Sequence, residues 1–168
     1  MDTVKHKKSN TMDLQAYQDF LIDYSNNLNT DIPLPTIARL GLMAKSGKVI
    51  GALMENKVDA IALKDDLGDT LSYFLLVLNH LEMPLIAIGA IGGCLQVPLA
   101  DNYLFCARNL YTCVDSFLRL KLARESLELL IAIIRIGLLY DIKLEDIVSY
   151  SWDKLKKRLD EGELQGFC

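Results

Sequence analysis

A chain of 168 residues is one domain's worth of protein, long enough to bury a core without disulfides. Apolar residues make up 51% and charged residues 24%, a balance that excludes a disordered chain. The net charge of −4, with basic runs only at residues 5–8 and 154–158, argues against non-specific nucleic-acid binding, and both runs read as solvated ends.

Residues 1–10 are polar, with no apolar stretch behind them, and predict a frayed leader rather than a secretion signal. The four cysteines (Cys94, Cys106, Cys113 and Cys168) have no CxxC spacing and no histidine companions. They predict reduced thiols in a cytoplasmic setting and no zinc site. From residue 11 to 159 the pattern is that of a single all-α domain. Residues 12–28 place Leu14, Tyr17, Phe20, Leu21 and Tyr24 on one helical face, with Thr11 or Asp13 as candidate caps. Asn26, Asn27, Pro33 and Pro35 break the chain before a second helix over 37–55.

A third helix is expected over 63–82, ended by Pro84. The glycine-rich, apolar stretch 85–101 reads as short helix or irregular connector. Further helices are expected over 103–122, 124–140 and 144–159, before a loose tail over 160–168. Two apolar stretches invite a membrane reading. The stretch 71–97 is interrupted by Asn79, His80, Glu82 and Pro84, and 127–139 falls short of the roughly 20 residues a span needs. Both predict buried helices instead.

A shift of 59 residues lays Asp66 on Glu125, Asp69 on Glu128, Leu71 on Leu130 and Leu81 on Tyr140. Two readings stand. Either the chain holds two related helical hairpins, an internal pseudo-repeat, or two amphipathic helices align through their shared period.

The stretch Gly41-Leu42-Met43-Ala44-Lys45-Ser46-Gly47-Lys48 and the later Lys64-Asp65-Asp66-Leu67-Gly68-Asp69-Thr70-Leu71-Ser72-Tyr73 together resemble GLxxExGE followed by ELGDxLWY. That is the signature of the MazG-like all-α nucleoside triphosphate pyrophosphohydrolases. Leu144-Glu145-Asp146-Ile147 and the run 152–158 look like the closing LEEV…NxxKLxxR helix of that family. The resemblance covers about residues 37–83 and 143–158. It implies a MazG-like helical bundle, with residues 84–122 as an insertion or added helical hairpin. It also implies a bacterial or phage source.

In that family an ExxE on one helix faces an ExxD on the next. The four carboxylates hold Mg²⁺, which orients a triphosphate and activates water, giving nucleoside monophosphate and pyrophosphate. The matching positions here are Lys45, Lys48, Asp66 and Asp69, two lysines and two aspartates that sum to zero. A unit charge about 4 Å from a like charge costs roughly 4 kcal/mol at an effective dielectric near 20, and a divalent ion costs more.

Three readings of the lysine pair stand. The lysines pair with the aspartates in a catalytically degenerate protein that acts through its surface. Alternatively, Lys45, Lys48, Asp66, Asp69 and Asn79 form a nucleotide-binding site in which ammonium groups hold the phosphates. In the third reading an active Mg²⁺ enzyme uses Asp66 and Asp69 with Glu55, or with Glu125 and Glu128. Against the last, Glu125 and Glu128 read more simply as acidic residues at a helix start, paired with nearby arginines. Asn79 reads equally as a satisfied core amide. Trp152 reads as a nucleobase stack or as interface packing, and Tyr73 as core. The helices at 71–81 and 127–139 are apolar nearly all round, so the bundle exceeds four helices or a partner covers one face. With the family's habit of assembling, this predicts a homodimer.

Overall fold

The computed structural model describes residues 14–28, 30–55, 57–85 and 103–162. Six helices follow one another: α1 (Leu14–Asn26), α2 (Leu34–Met54), α3 (Ala60–His80), α4 (Tyr103–Leu120), α5 (Ala123–Leu139) and α6 (Leu144–Asp160). No strand occurs among the described residues, so the architecture is the expected all-α bundle. The leader, the candidate caps Thr11 and Asp13, Cys94, Cys168 and nearly all of the glycine-rich stretch lie outside the described residues. Among those described, no helix is long and apolar enough to cross a membrane.

Two helix starts differ from expectation, each for a local reason. Pro33 and Pro35 start α2 instead of standing outside it. Pro33, at φ −56°, occupies the N-cap and Pro35 lies in the first turn, where a missing N–H leaves no bond unmade. α3 begins at Ala60, three residues early, because Asp59 caps it: its Oδ1 accepts from Ile61 N at 2.8 Å and Ala62 N at 3.3 Å. That satisfies two of the orphan donors of the first turn.

The ends of α3 and α5 share one device. Glu82 and Asp141 adopt positive φ, 53° and 57°. Met83 N donates to Leu78 O at 3.0 Å and Ile142 N to Gly137 O at 2.9 Å, the six-to-one bond of a Schellman turn. The two turns are offset by the same 59 residues that align Asp66 with Glu125.

α3 is the axis of the molecule. It packs against α1, α2, α5 and α6, while α2 also packs on α4 and α4 on α5. Every residue of α3 from Leu67 to Leu78 is buried, which accounts for its apolar character all round: the bundle has more than four helices. α5 buries a similar run around Ile133 and Ile136.

Candidate functional site

The five-residue connector between α2 and α3 returns the chain antiparallel, and close approach then fixes the register. A β-carbon on Gly41 would lie 2.2 Å from the Tyr73 ring, so only glycine lets α2 come this near. One turn along, Lys45 faces Asp69, with Nζ 2.8 Å from Oδ2. A further turn along, Lys48 acts electrostatically on Asp66. The structure therefore brings Lys45, Lys48, Asp66 and Asp69 to one seam.

A third helix joins them. A β-carbon on Gly68 would lie 2.9 Å from Ser151 Cβ, so glycine again permits close packing, here of α6 on α3. Lys154, three residues beyond Ser151 on the same face, places Nζ 2.5 Å from both Asp65 Oδ1 and Asp69 Oδ1. This corrects the reading of residues 154–158 as a solvated end: the Lys154 side chain is 19% exposed. Asp65 and Lys154 were not among the expected site residues. The signal for Lys154 was its place on the stripe of Ile147, Ser151 and Leu155, the buried face of α6.

Three aspartates and three lysines thus gather at the α2–α3–α6 junction. Asp69 is 5% exposed at its side chain, and each of its carboxylate oxygens is taken by an ammonium group. Burial pushes the Asp66 carboxyl above the usual carboxylate range. Lys48 and Lys45 oppose that shift, and the neighbouring Asp65 and Asp69 add to it. Lys48 is exposed.

A hydroxyl triangle adjoins the cluster. Tyr17 Oη lies 2.7 Å from Ser72 Oγ and donates to Ser151 Oγ at 2.7 Å, and the two serines are 3.2 Å apart. Ser72 also donates to Gly68 O at 2.8 Å. Burial pushes the Tyr17 phenol up to about 12.

The other candidates do not join the cluster. Glu55 is exposed at the C-cap of α2, seven residues past Lys48 and about 10 Å along the helix. Glu128 is exposed and accepts from Arg124 Nε at 2.9 Å, the helix-start pairing expected of it. Glu125 lies in the first turn of α5. None of these three is among the groups acting on Asp66. Among the described residues, no three or more His, Cys, Asp or Glu side chains are arranged to hold a metal ion.

Asn79 is exposed near the end of α3, ten residues and about 15 Å along the helix from Asp69. The core-amide reading is therefore wrong, and the residue stands apart from the charged seam. Trp152 stacks on Phe20 at 5.3 Å, and Lys156 lies over its ring at 5.0 Å, so its faces are used in packing. Tyr73 is core.

The residues present do not fit Mg²⁺. A cation approaching Asp69 would have to displace Lys45 and Lys154 from its two oxygens while meeting their charges. What the arrangement does chemically is neutralise a buried carboxylate and join three helices through it. No family model, curated protein or solved structure matches the chain.

Proposed function

We propose that this chain is a catalytically degenerate MazG-like protein that acts through its surface as a protein-interaction module rather than by hydrolysing nucleotides. The observation that carries this reading is the state of Asp69: buried, with both oxygens engaged by lysines from two different helices. An aspartate held in this way is a structural tie, and a fold can outlive its chemistry. A duplicated hairpin would also account for the matching turns that close α3 and α5.

Nucleotide binding is the second reading, and Lys48 supports it. Lys48 is exposed beside Asp66 and forms no salt bridge among the described residues. It is the ammonium group best placed to meet a phosphate.

Pyrophosphate release from ribo- and deoxyribonucleoside triphosphates, with Mg²⁺ and then Mn²⁺, tests the proposal. No turnover is expected, and metal-dependent turnover would overturn the degenerate reading in favour of an active pyrophosphohydrolase. A rise in Tm with metal-free nucleoside triphosphate, lost in Lys48→Ala, would favour the second reading over the first, because a ligand that binds the native state stabilises it by mass action.

A further inference from the structure

Resting on the surface-acting reading above, we infer that the groove between α2 and α4 receives an acidic amphipathic helix of a partner protein. The groove measures about 510 Å³ and is walled by Met43, Gly47 and Ile50 on α2 and by Tyr111, Val114 and Leu118 on α4. Large apolar side chains stand in water on its rims and past its ends: Leu40, Met43 and Met54 are 57–62% exposed and Tyr111 is 65% exposed. From Leu40 to Met54 the stripe runs about 21 Å along α2. A concave seat of that length takes the ridge of another helix, whose anchors recur every three or four residues. A flat surface would meet its rims alone. Gly47 deepens the seat. Glycine inside a helix costs about 1 kcal/mol relative to alanine. At Gly41 and Gly68 it goes with a neighbouring helix drawn close, whereas a β-carbon on Gly47 would meet nothing within 4 Å. The described chain makes no use of that notch.

Charge selects the occupant. α2 and α4 carry five basic residues (Arg39, Lys45, Lys48, Arg108 and Arg119) and one acidic residue (Asp115), hence +4 on two helices of a chain whose net charge is −4. Lys45 is taken by Asp69, Lys48 acts on Asp66 at the α2–α3 seam, and Asp115 and Arg119 satisfy each other within α4. Arg39 and Arg108 are left. Arg39 stands one turn before Met43 and Arg108 one turn before Tyr111; both are exposed, and neither forms a salt bridge among the described residues. Guanidinium groups beside an apolar floor match glutamates beside the apolar face of a helix, because the fork of each accepts a carboxylate through two hydrogen bonds. A basic helix would meet like charge at both positions. A second copy of the groove would bring the same cations to it.

The test is fluorescence anisotropy of the full chain with a labelled synthetic helix of about 18 residues, leucine at alternating third and fourth positions and glutamate on the flanks. Binding at micromolar Kd is expected, about tenfold or more tighter than for the same peptide with lysine in place of glutamate. Gly47→Leu should abolish it by filling the notch, although it adds apolar surface. Arg39→Glu with Arg108→Glu should turn the preference to the lysine peptide, with helical circular dichroism unchanged in every variant. No binding, or binding indifferent to Gly47→Leu and to the charge reversal, would overturn the inference. Attachment to phosphatidylserine vesicles that Gly47→Leu strengthens would overturn it in favour of a lipid surface. A dimer of the unaltered chain that Gly47→Leu dissolves would overturn it in favour of a second copy. Pyrophosphate release reads the degenerate site separately, so peptide binding can fail while that reading stands.

Discussion

Lys154 Nζ and Asp69 Oδ1 lie 2.5 Å apart although 85 residues separate them in the chain. The contact fastens the last helix of the bundle to the central one. It is also half of what closes the Asp69 carboxylate to anything else. Lys154→Met removes it while keeping most of the side chain's length. The buried Asp69 then keeps one partner and Asp65 keeps none from α6. Breaking a buried pair costs about 3–5 kcal/mol, and the partial exposure of Lys154 lowers this to roughly 2 kcal/mol. Urea unfolding should show the loss as a lower midpoint with an unchanged slope.

Supplying the acidic pair of the MazG-like signature should create metal affinity. Lys45→Glu with Lys48→Glu makes the seam four units more negative and frees one oxygen of Asp69. In that variant Mg²⁺ or Mn²⁺ at millimolar concentration should raise Tm by several degrees, as a ligand of the native state must. The unaltered chain should show no such shift. Equal response in the two proteins would mean that the lysines are not what closes the site.

The two tight helix contacts give a steric prediction. Gly41→Ala drives a methyl group into the Tyr73 ring, and Gly68→Ala drives one into Ser151. Each should cost about 1–3 kcal/mol through overpacking. Gly51, whose added β-carbon would meet nothing within 4 Å, is the control. Gly51→Ala should stabilise the chain by up to about 1 kcal/mol through helix propensity. Thermal denaturation of the three variants checks the order.

Two groups set opposite ends of the pH profile. Tyr17 is pushed from 10.0 to about 12 by burial. A raised folded value means that its contribution is fully present below pH 10 and is lost as pH rises toward 12, where unfolding lets the phenol ionise. The loss amounts to roughly 3 kcal/mol, and Tyr17→Phe should remove this alkaline step in a plot of stability against pH.

Asp66, also raised by burial, acts in the same sense at acid pH. It favours the fold below its ordinary value of 3.8 and opposes the fold once ionised. Asp66→Asn should therefore stabilise the protein at neutral pH, with the gain vanishing below about pH 4. A variant less stable than its parent at pH 7 would show that attraction to Lys48 outweighs desolvation.

The helical period made most of the fold legible. α4, α5 and α6 run within two residues of their expected bounds, because apolar residues at steps of three and four mark a buried face whatever lies against it. The starts of α2 and α3 were not legible from periodicity. Pro33 and Pro35 carry the same letters whether they break a helix or begin one, and Asp59 announces a cap only once the following turn is known to be helical. Within the site, the facing of Lys45 and Lys48 with Asp66 and Asp69 was what the resemblance to the MazG-like signature implied, and helical period alone would not have given it. Lys154 was not placed there. A period tells which face of α6 is buried, yet it does not say which helix that face meets, so a lysine on it looked like any solvated charge. Asn79 failed for a related reason. It follows the buried run of α3, but by that point the helix has emerged from the bundle.

The Tyr17–Ser72–Ser151 triangle takes one hydroxyl from each of α1, α3 and α6, across spans of 55 and 134 residues. Departure of α1 or of α6 breaks two of the triangle's three contacts, which couples opening of the first helix to opening of the last. Native-state hydrogen exchange should therefore find the amides of α1 and α6 sharing a single opening free energy with those of α3, as one cooperative unit, instead of the graded fraying usual for the outer helices of a bundle.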